Sequence, residues 1–152
     1  MLTCMPRTLW NEGDRLAIAA RLAQLTPETR PLWGSFDAPQ MVCHITDTLR
    51  WAAGDVRCEP KRTFLRYPVI KTLVMFHLPW PKGVPTSPEL IARPPEDWQA
   101  EVQRFLAAMD AFRKRPIDGP WPEHSAFGRL SGAQWGRLMY RHTDHHLTQF
   151  GR

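Results

Sequence analysis

The sequence predicts an all-α protein in which four helices form a bundle and a long crossover joins the second helix to the third. Four segments repeat apolar residues at the three- and four-residue spacing of an α-helix. The 15 prolines fall mainly between these segments, and no alternating run is long enough to demand a sheet. At 152 residues the chain has the size of one domain, so residues 1–152 are expected to form a single helical domain.

The first two helices are defined by their ends and their apolar stripes. The first runs from about Glu12 to Leu25, where the stretch TPET ends it, and it is expected to pack on the outside of the core. Its apolar face contains Leu16, Ala19, Ala20, Leu22 and Ala23. The second begins after an N-cap at Ser35 or Asp37 and continues to about Val56. Its stripe contains Met41, His44, Ile45, Thr48, Leu49 and Ala52.

The last two helices have clearer start signals. The third opens at RPPEDW, where prolines precede an acidic first turn, and it runs from about Glu96 to Phe112. Its stripe is Trp98, Val102, Phe105, Leu106, Met109 and Phe112. The fourth opens at Ser131 and stops near Phe150, with Gly151 as the C-cap. One side of it presents Trp135, Leu138, Met139 and His142.

Residues 57–95 form the crossover between the second and third helices. They hold one short apolar piece, Val69 to Leu78, followed by the proline-rich stretch LPWPKGVPTSPELIARPP. A connection of this length inside a compact domain usually has its own helix or covers a site. We therefore expect a short helix followed by a loop, and a second folded loop, DGPWPEHSAFGRL, leading into the last helix.

The charge and cysteine content narrow the functional classes. The net charge is +5, but Lys and Arg are scattered, so nucleic acid is not expected as a partner, whereas anionic small molecules are compatible. The three cysteines Cys4, Cys43 and Cys58 form no C-x-x-C pair, which favours a reduced, cytoplasmic setting. No secretory signal is evident, and the stretch YPVIKTLVMFHLPW is too short to span a bilayer, so no membrane partner is expected.

Helical geometry separates the three histidines of the closing stretch YRHTDHHLTQFGR. At about 100° per residue, His146 lies about 40° from His142, and both face the core with the apolar stripe. His145 lies on the edge of the stripe, at about −60°. Asp144, about 160° away, is expected to point to solvent and is therefore a poor ligand for the same ion.

Histidines at positions i and i+4 are close enough to share one ion at about 2.0 to 2.1 Å from each nitrogen. His44 is independent support, because it also lies in a core-facing stripe. Two simpler interpretations stay open. His146 is near enough to the helix C-terminus to act as a cation there, and all three histidines can be buried and hydrogen-bonded without a metal. His77 and His124 are assigned no ligand role.

Other catalytic patterns are missing from the sequence. The zinc-protease motif H-E-x-x-H fails because Thr143 follows the first histidine. The Glu-x-x-His pairs of carboxylate-bridged di-iron bundles do not occur. Serine-hydrolase, P-loop and dinucleotide-binding glycine motifs are also missing.

Several stretches resemble the DinB-like or YfiT-like metalloenzyme superfamily. A histidine in the second helix, MVCHITDTL, and the C-terminal H-x-x-x-H in HTDHH carry this resemblance. The stretches LWGSF, LPWPKGVPTSPEL, FGRLSGAQWG and YRHTDHHLTQFG are similar to one uncharacterised bacterial subgroup of it. The resemblance runs from about residue 15 to the end, and Ser125 departs from it, because a proline is expected after His124.

The resemblance implies a single DinB-like four-helix-bundle domain over residues 1–152, often found as a homodimer. By position, the ligands of its divalent metal would be His44, His142 and His146. All-imidazole ligation suits zinc, nickel or iron. Superfamily members include thiol-dependent S-transferases and hydrolase-like proteins, but no reaction is assigned to this subgroup.

These observations predict a metal-dependent enzyme, hydrolase-like or thiol S-transferase-like, that acts on a small-molecule substrate. Three neutral imidazoles leave the ion its full charge and an open coordination position. Asp47 and His145 are the candidate catalytic residues beside the site, and Trp80 and Lys82 are candidates for its mouth. A non-catalytic metal- or ligand-binding bundle is the alternative, and a nucleic-acid role ranks third.

Overall fold

Five α-helices make up the computed structural model, which describes residues 6–83, 86–91 and 93–152; Cys4 lies outside these ranges. In chain order they are α1 (Glu12–Leu22), α2 (Ala38–Ala52), α3 (Pro68–Phe76), α4 (Trp98–Arg113) and α5 (Gly132–Gln149). Short 3-10 turns lie at Phe64–Arg66 and Pro88–Leu90. No strand occurs in the described ranges, where His124 and Gly128 form one isolated bridge. The predicted all-α class is confirmed.

Capping boxes fix the starts of the two helices that carry the histidines. Asp37 Oδ1 accepts a hydrogen bond from the Gln40 amide at 2.8 Å, and Gln40 Oε1 accepts one from the Asp37 amide at 3.0 Å. Ser131 and Gln134 form the same reciprocal pair before α5. The N-cap of α2 is therefore Asp37 rather than Ser35. Such a box satisfies two amides that would otherwise lack a partner at the helix start.

Two predicted helix ends were wrong by about three or four residues. α1 ends at Leu22 rather than Leu25, and α2 ends at Ala52 rather than near Val56. Gly54 explains the second difference, because its φ of 87° takes the chain into the left-handed region directly after the helix. Gly151, with a φ of 75°, ends α5 in the same way.

The four long helices pack as a ring of neighbours. α2 contacts α4 and α5, while α1 contacts the same two helices from the other side. The apolar stripes predicted for α2 and α4 point into this core. The predicted face of α1 was wrong in part: Leu16 is 63% exposed, and Ile18 and Leu22 are the residues that α1 buries. Ile18 and Leu22 are one turn apart, whereas Leu16 lies about 200° around the helix from Ile18.

The crossover contains the expected short helix, α3, and attaches it to α5 by its C-terminal end. Met75 is the residue that α3 buries, whereas Val69 is 72% exposed. Arg141 of α5 donates hydrogen bonds to the carbonyls of Met75, at 2.5 Å, and Leu78. The segment after α3 is thereby held against the histidine-bearing half of α5. No helix in the described ranges has the length and apolarity needed to cross a membrane.

A buried carboxylate fixes the other end of the crossover. Glu101 of α4 is fully buried and accepts two hydrogen bonds from Arg93, at 2.8 and 2.5 Å. Arg104 and the Glu96 amide donate to the same carboxylate at 2.8 and 3.0 Å. These bonds, led by those from Arg93, hold the pKa of Glu101 at about 2. The ion pair therefore locks residue 93 of the crossover onto α4, three residues after Leu90.

We expect Arg93→Ala to lower the free energy of unfolding by about 3 kcal/mol, because it leaves the Glu101 carboxylate buried with one of its two cations. Urea unfolding followed by circular dichroism measures the loss. Arg113→Ala is the matched control, since its pair with Asp110 is exposed, and it should lower the free energy of unfolding much less than Arg93→Ala does. Equal losses in the two variants would contradict a structural role for the buried pair.

Candidate metal centre

Three histidines from two helices meet in the core near the C-terminal end of α5. His44 lies in the middle of α2 and is 3% exposed. His142 and His146 lie one turn apart on α5 and are partly buried. Because α2 and α5 pack against each other, their inward faces bring the three rings together. Core-facing positions had been predicted for all three from helical periodicity, and the structure places them there.

The three rings point their Nε2 atoms at one another. His142 Nε2 is 3.2 Å from His44 Nε2 and 3.2 Å from His146 Nε2. One ligand atom from each of the three residues lies within 4.8 Å of the other two. Nitrogens bound at about 2.0 to 2.1 Å to one tetrahedral ion would lie roughly 3.3 Å apart. The two 3.2 Å spacings at His142 therefore match those of nitrogens that share one ion.

Backbone and side-chain acceptors fix the tautomer of His44 and of His146. His44 Nδ1 lies 2.8 Å from the Leu90 carbonyl oxygen, which can only accept, so the Nδ1 carries the proton. His146 Nδ1 lies 2.9 Å from Gln149 Oε1. The amide of Gln149 is oriented in turn, because its Nε2 donates to the Trp33 carbonyl at 2.6 Å. Both histidines therefore present an Nε2 lone pair to the centre.

This arrangement cannot be satisfied by hydrogen bonds among the three rings. If His142 Nε2 carries a proton, it has one donor for two lone pairs, those of His44 and His146. If it does not, three lone pairs converge. Either way at least one lone pair has no donor among the three rings. A divalent cation at the centre would accept all three lone pairs, so the residues present fit a metal.

Burial keeps these imidazoles neutral. It is the largest cause that lowers the pKa of His44 and holds the pKa of His142 well below its usual range. Burial, followed by the charge of His44, lowers the pKa of His146 to about 3. Neutral imidazole is the form that binds a metal ion. The three rings are therefore in their ligating state at neutral pH.

The candidate catalytic residue Asp47 does not lie at the centre of the cluster. Its carboxylate pairs with Arg50 at 3.4 Å and with Arg93 at 3.8 Å. No hydrogen bond joins it to a histidine in the part of the chain that the structure describes. Its carboxylate is mostly buried rather than solvated, and the acceptor that orients His44 is the Leu90 carbonyl. Asp47 contributes negative charge near His44, which opposes the effect of burial on the pKa of His44.

The other candidate, His145, lies at the edge of the cluster, as its helical angle predicts. Its ring centroid is 5.4 Å from that of His146, and it lies between Trp33 and Trp80 at 6.1 and 5.9 Å. Burial lowers its pKa. The expectation for Asp144 was wrong in part, because its carboxylate pairs with Arg21 of α1 at 2.6 Å instead of meeting only solvent.

His124 lies apart from the cluster and has a structural role. Its ring packs between Trp51, Phe127 and Trp135, with centroids 4.5 to 5.5 Å away. Its Nδ1 accepts hydrogen bonds from the amides of Ala126 and Phe127 at 3.1 and 3.2 Å. Burial lowers its pKa to about 3. His124 therefore holds the loop before α5 while it is neutral.

Two residues that orient the histidines were missed by sequence reasoning. Gln149 was detectable, because it lies three residues after His146 on the same helix and is within reach of its ring. Leu90 was not, because its carbonyl reaches His44 through the path of the crossover, across 46 residues of sequence. Every residue has a backbone carbonyl, so the types of residue in the sequence do not show which carbonyl will reach a histidine.

Comparison with known families places the chain in one of them. A family model described as "Protein of unknown function (DUF1569)" matches residues 14–152. The match covers most of the chain, so the protein belongs to this family. No curated protein and no solved structure matches the chain. The family description names no reaction, and the case for a function therefore rests on the geometry of the site.

We expect Gln149→Ala to weaken zinc binding about 10- to 100-fold, because His146 loses the acceptor that fixes its tautomer and ring orientation. Competition with a chromogenic chelator measures the affinity. Thr148→Ala is the matched control, since Thr148 is an exposed neighbour whose hydroxyl accepts from Arg21 at 3.3 Å, away from His146. Equal affinities for the Gln149 variant and the unaltered protein would contradict the orienting role.

Acid should destabilise the fold partly through His124. Its pKa is about 3 when folded, against about 6.5 when unfolded, so the unfolded state binds the extra proton between these values. Stability is therefore lost as the pH falls through this range, by up to about 1.4 kcal/mol per pH unit. Urea unfolding at pH 6 and pH 4 measures the loss of unfolding free energy between these two pH values, and this loss should be smaller in His124→Phe than in the unaltered protein. An equal loss in the two proteins would show that His124 does not contribute.

Proposed function

We propose that this member of the DUF1569 family is a metal-dependent enzyme, hydrolase-like or thiol S-transferase-like, acting on a small molecule. His44, His142 and His146 would hold its divalent ion. One observation carries the proposal: two Nε2 lone pairs, fixed by Leu90 and Gln149, face a third Nε2 at 3.2 Å. Zinc, nickel and iron all suit three imidazole ligands.

The surroundings of the cluster favour catalysis over a purely structural ion. Within the described ranges, no further histidine, cysteine or carboxylate joins the three residues. His142 and His146 are partly exposed, so one side of the cluster is within reach of solvent. A structural site is normally closed by a fourth protein ligand, whereas a catalytic site keeps a position open. A bound divalent ion would lower the pKa of a water molecule or a thiol that coordinates it.

The residues around the cluster have distinct roles in this proposal. Leu90 and Gln149 orient two ligands, and Phe36 packs against His44 and His146 at ring distances of 5.2 and 6.3 Å. Of the two catalytic candidates, His145 is the better placed, because it lines the partly exposed side, whereas Asp47 is engaged by two arginines. His145 is therefore the group expected to contact the substrate.

The same proposal includes the DinB-like four-helix bundle as the fold of a single domain. Its support is the ring of contacts among α1, α5, α2 and α4, with α3 placed in the long crossover. Further support is the position of the three histidines, one on the second long helix and two on the last. A solved structure of the chain would test this fold directly.

Elemental analysis of protein purified without a histidine tag tests the metal site. We expect about one divalent ion per chain in the unaltered protein and at least tenfold less in His44→Gln, His142→Gln and His146→Gln. His77→Gln is the matched control, because His77 is exposed and lies outside the cluster. It should retain the metal. Equal trace metal in all five proteins would overturn the proposal.

Cobalt substitution separates a catalytic from a structural ion. The visible spectrum of a cobalt site with an open position should change when azide or a small thiol is added. An unchanged spectrum with stoichiometric cobalt would favour the non-catalytic metal-binding bundle.

The elemental analysis of the glutamine variants needs a folding control. The circular dichroism spectra of these variants show whether any loss of metal comes from misfolding.

A further inference from the structure

A cleft of about 290 Å³ lies next to His145, at the edge of the histidine cluster. Its walls come from three segments: Trp33 before α2, Trp80 and Lys82 after α3, and Arg141 and His145 on α5. Its distance from the cluster is short, because the Trp80 ring lies 6.2 Å from His142 and the His145 ring lies 5.4 Å from His146. We refer to these five residues as the tryptophan cleft.

The Trp80 side chain and the Trp33 backbone of the tryptophan cleft are held in place by neighbouring residues. The Trp80 indole donates a hydrogen bond to the Val74 carbonyl at 2.9 Å. Arg141 lies 4.9 Å from the same ring and is itself anchored to the carbonyls at the end of α3. The Trp33 carbonyl accepts from Gln149, the residue that orients His146. A Trp80 indole that is already fixed requires little ordering when a ligand binds.

The charges around the tryptophan cleft are mainly positive. The Lys82 ammonium lies 4.4 Å from the Trp33 ring centroid, and among the described residues no carboxylate pairs with it. Arg141 adds a second cation. The carboxylate that borders the cleft, Asp144, is already engaged by Arg21 at 2.6 Å. The potential within the cleft therefore favours an anion.

We infer that the tryptophan cleft binds the substrate of the proposed metal enzyme and that this substrate is a small planar anion, an aromatic or heteroaromatic carboxylate. This inference rests on the proposed function. The ring packs against the indole of Trp80, the carboxylate contacts Lys82, and the rest of the molecule reaches the histidine cluster. A volume near 290 Å³ lies at the small end of ligand pockets and suits a substrate of one or two rings.

Two other ligand classes fit the tryptophan cleft less well. Paired indoles also bind organic cations. Here, however, Lys82 and Arg141 already lie over the two rings and would repel a third cation. A neutral apolar molecule would use the indoles but gain nothing from the lysine. An anionic ring uses both features.

Calorimetry with three matched probes tests this inference. The probes are 2-naphthoate, its neutral amide 2-naphthamide and the cation 2-naphthylmethylamine, each titrated into metal-free and zinc-loaded protein. We expect saturable binding of the carboxylate and at least tenfold weaker binding of the amine in both forms. Binding to the metal-free form separates contact with Lys82 from direct ligation of zinc by the carboxylate.

Four variants identify the site of binding. Trp80→Leu should weaken 2-naphthoate about tenfold, because the stacking surface is lost, and Lys82→Gln about three- to tenfold. The matched controls are Trp121→Leu and Lys114→Gln, neither of which lines the cleft. Trp121 lies near the start of α5, where its indole donates to the Ile117 carbonyl, and Lys114 lies at the C-terminal end of α4. The controls should bind 2-naphthoate as the unaltered protein does.

The outcomes distinguish this inference from the proposed function. Stoichiometric zinc without selective carboxylate binding would overturn the inference and leave the proposed function standing. Binding of 2-naphthoate that depends on Trp80 and Lys82 would support the anion-binding role of the cleft. If the same protein did not bind zinc, the cleft would still bind the carboxylate, but the proposed metal enzyme would be ruled out. Binding that the control variants weaken as much as the cleft variants would overturn it.

Discussion

The histidine cluster depends on one constraint, the proton that the Leu90 carbonyl holds on His44. A buried imidazole has two nitrogens, and each one that is left without a hydrogen-bond partner lowers the stability of the fold by about 1 to 3 kcal/mol. By accepting from Nδ1 at 2.8 Å, the carbonyl fixes which nitrogen is a donor and turns the Nε2 lone pair inward. Gln149 imposes the same condition on His146. Without these two acceptors, each ring could reverse its donor, and no set of converging lone pairs would be specified.

Much of the remaining structure serves to place these two acceptors. The Leu90 carbonyl reaches His44 only because the crossover returns along α2, and the buried pair of Arg93 and Glu101 fixes that return three residues later. Gln149 is held by the Trp33 carbonyl in the loop before α2. The crossover therefore contacts the cluster through the Leu90 carbonyl, and the loop before α2 contacts it indirectly, through the Trp33 carbonyl and Gln149.

Helical periodicity predicted the ligand positions well because it is a property of the backbone. At about 100° per residue, His142 and His146 must share a face with Trp135, and in the structure Trp135 is fully buried and the two histidines are partly buried. Periodicity was less informative for α1, where Leu16 is exposed, because a short outer helix buries only a narrow face. The orienting Leu90 carbonyl was beyond prediction. It depends on the tertiary path of the crossover rather than on a residue type.

The proton count explains why the cluster is a poor structural device without an ion. His44 and His146 each bring an inward lone pair, and His142 can bring at most one proton to its Nε2. A network with one acceptor left over is worse for stability than an apolar core of the same size. Core stability alone would be better served by apolar residues at all three positions together. The chain instead holds the unsatisfied arrangement in place with Leu90 and Gln149, and it leaves one side of the cluster open toward the two tryptophans. A fixed set of converging nitrogen lone pairs without enough donors is what a cation site requires before its ion binds.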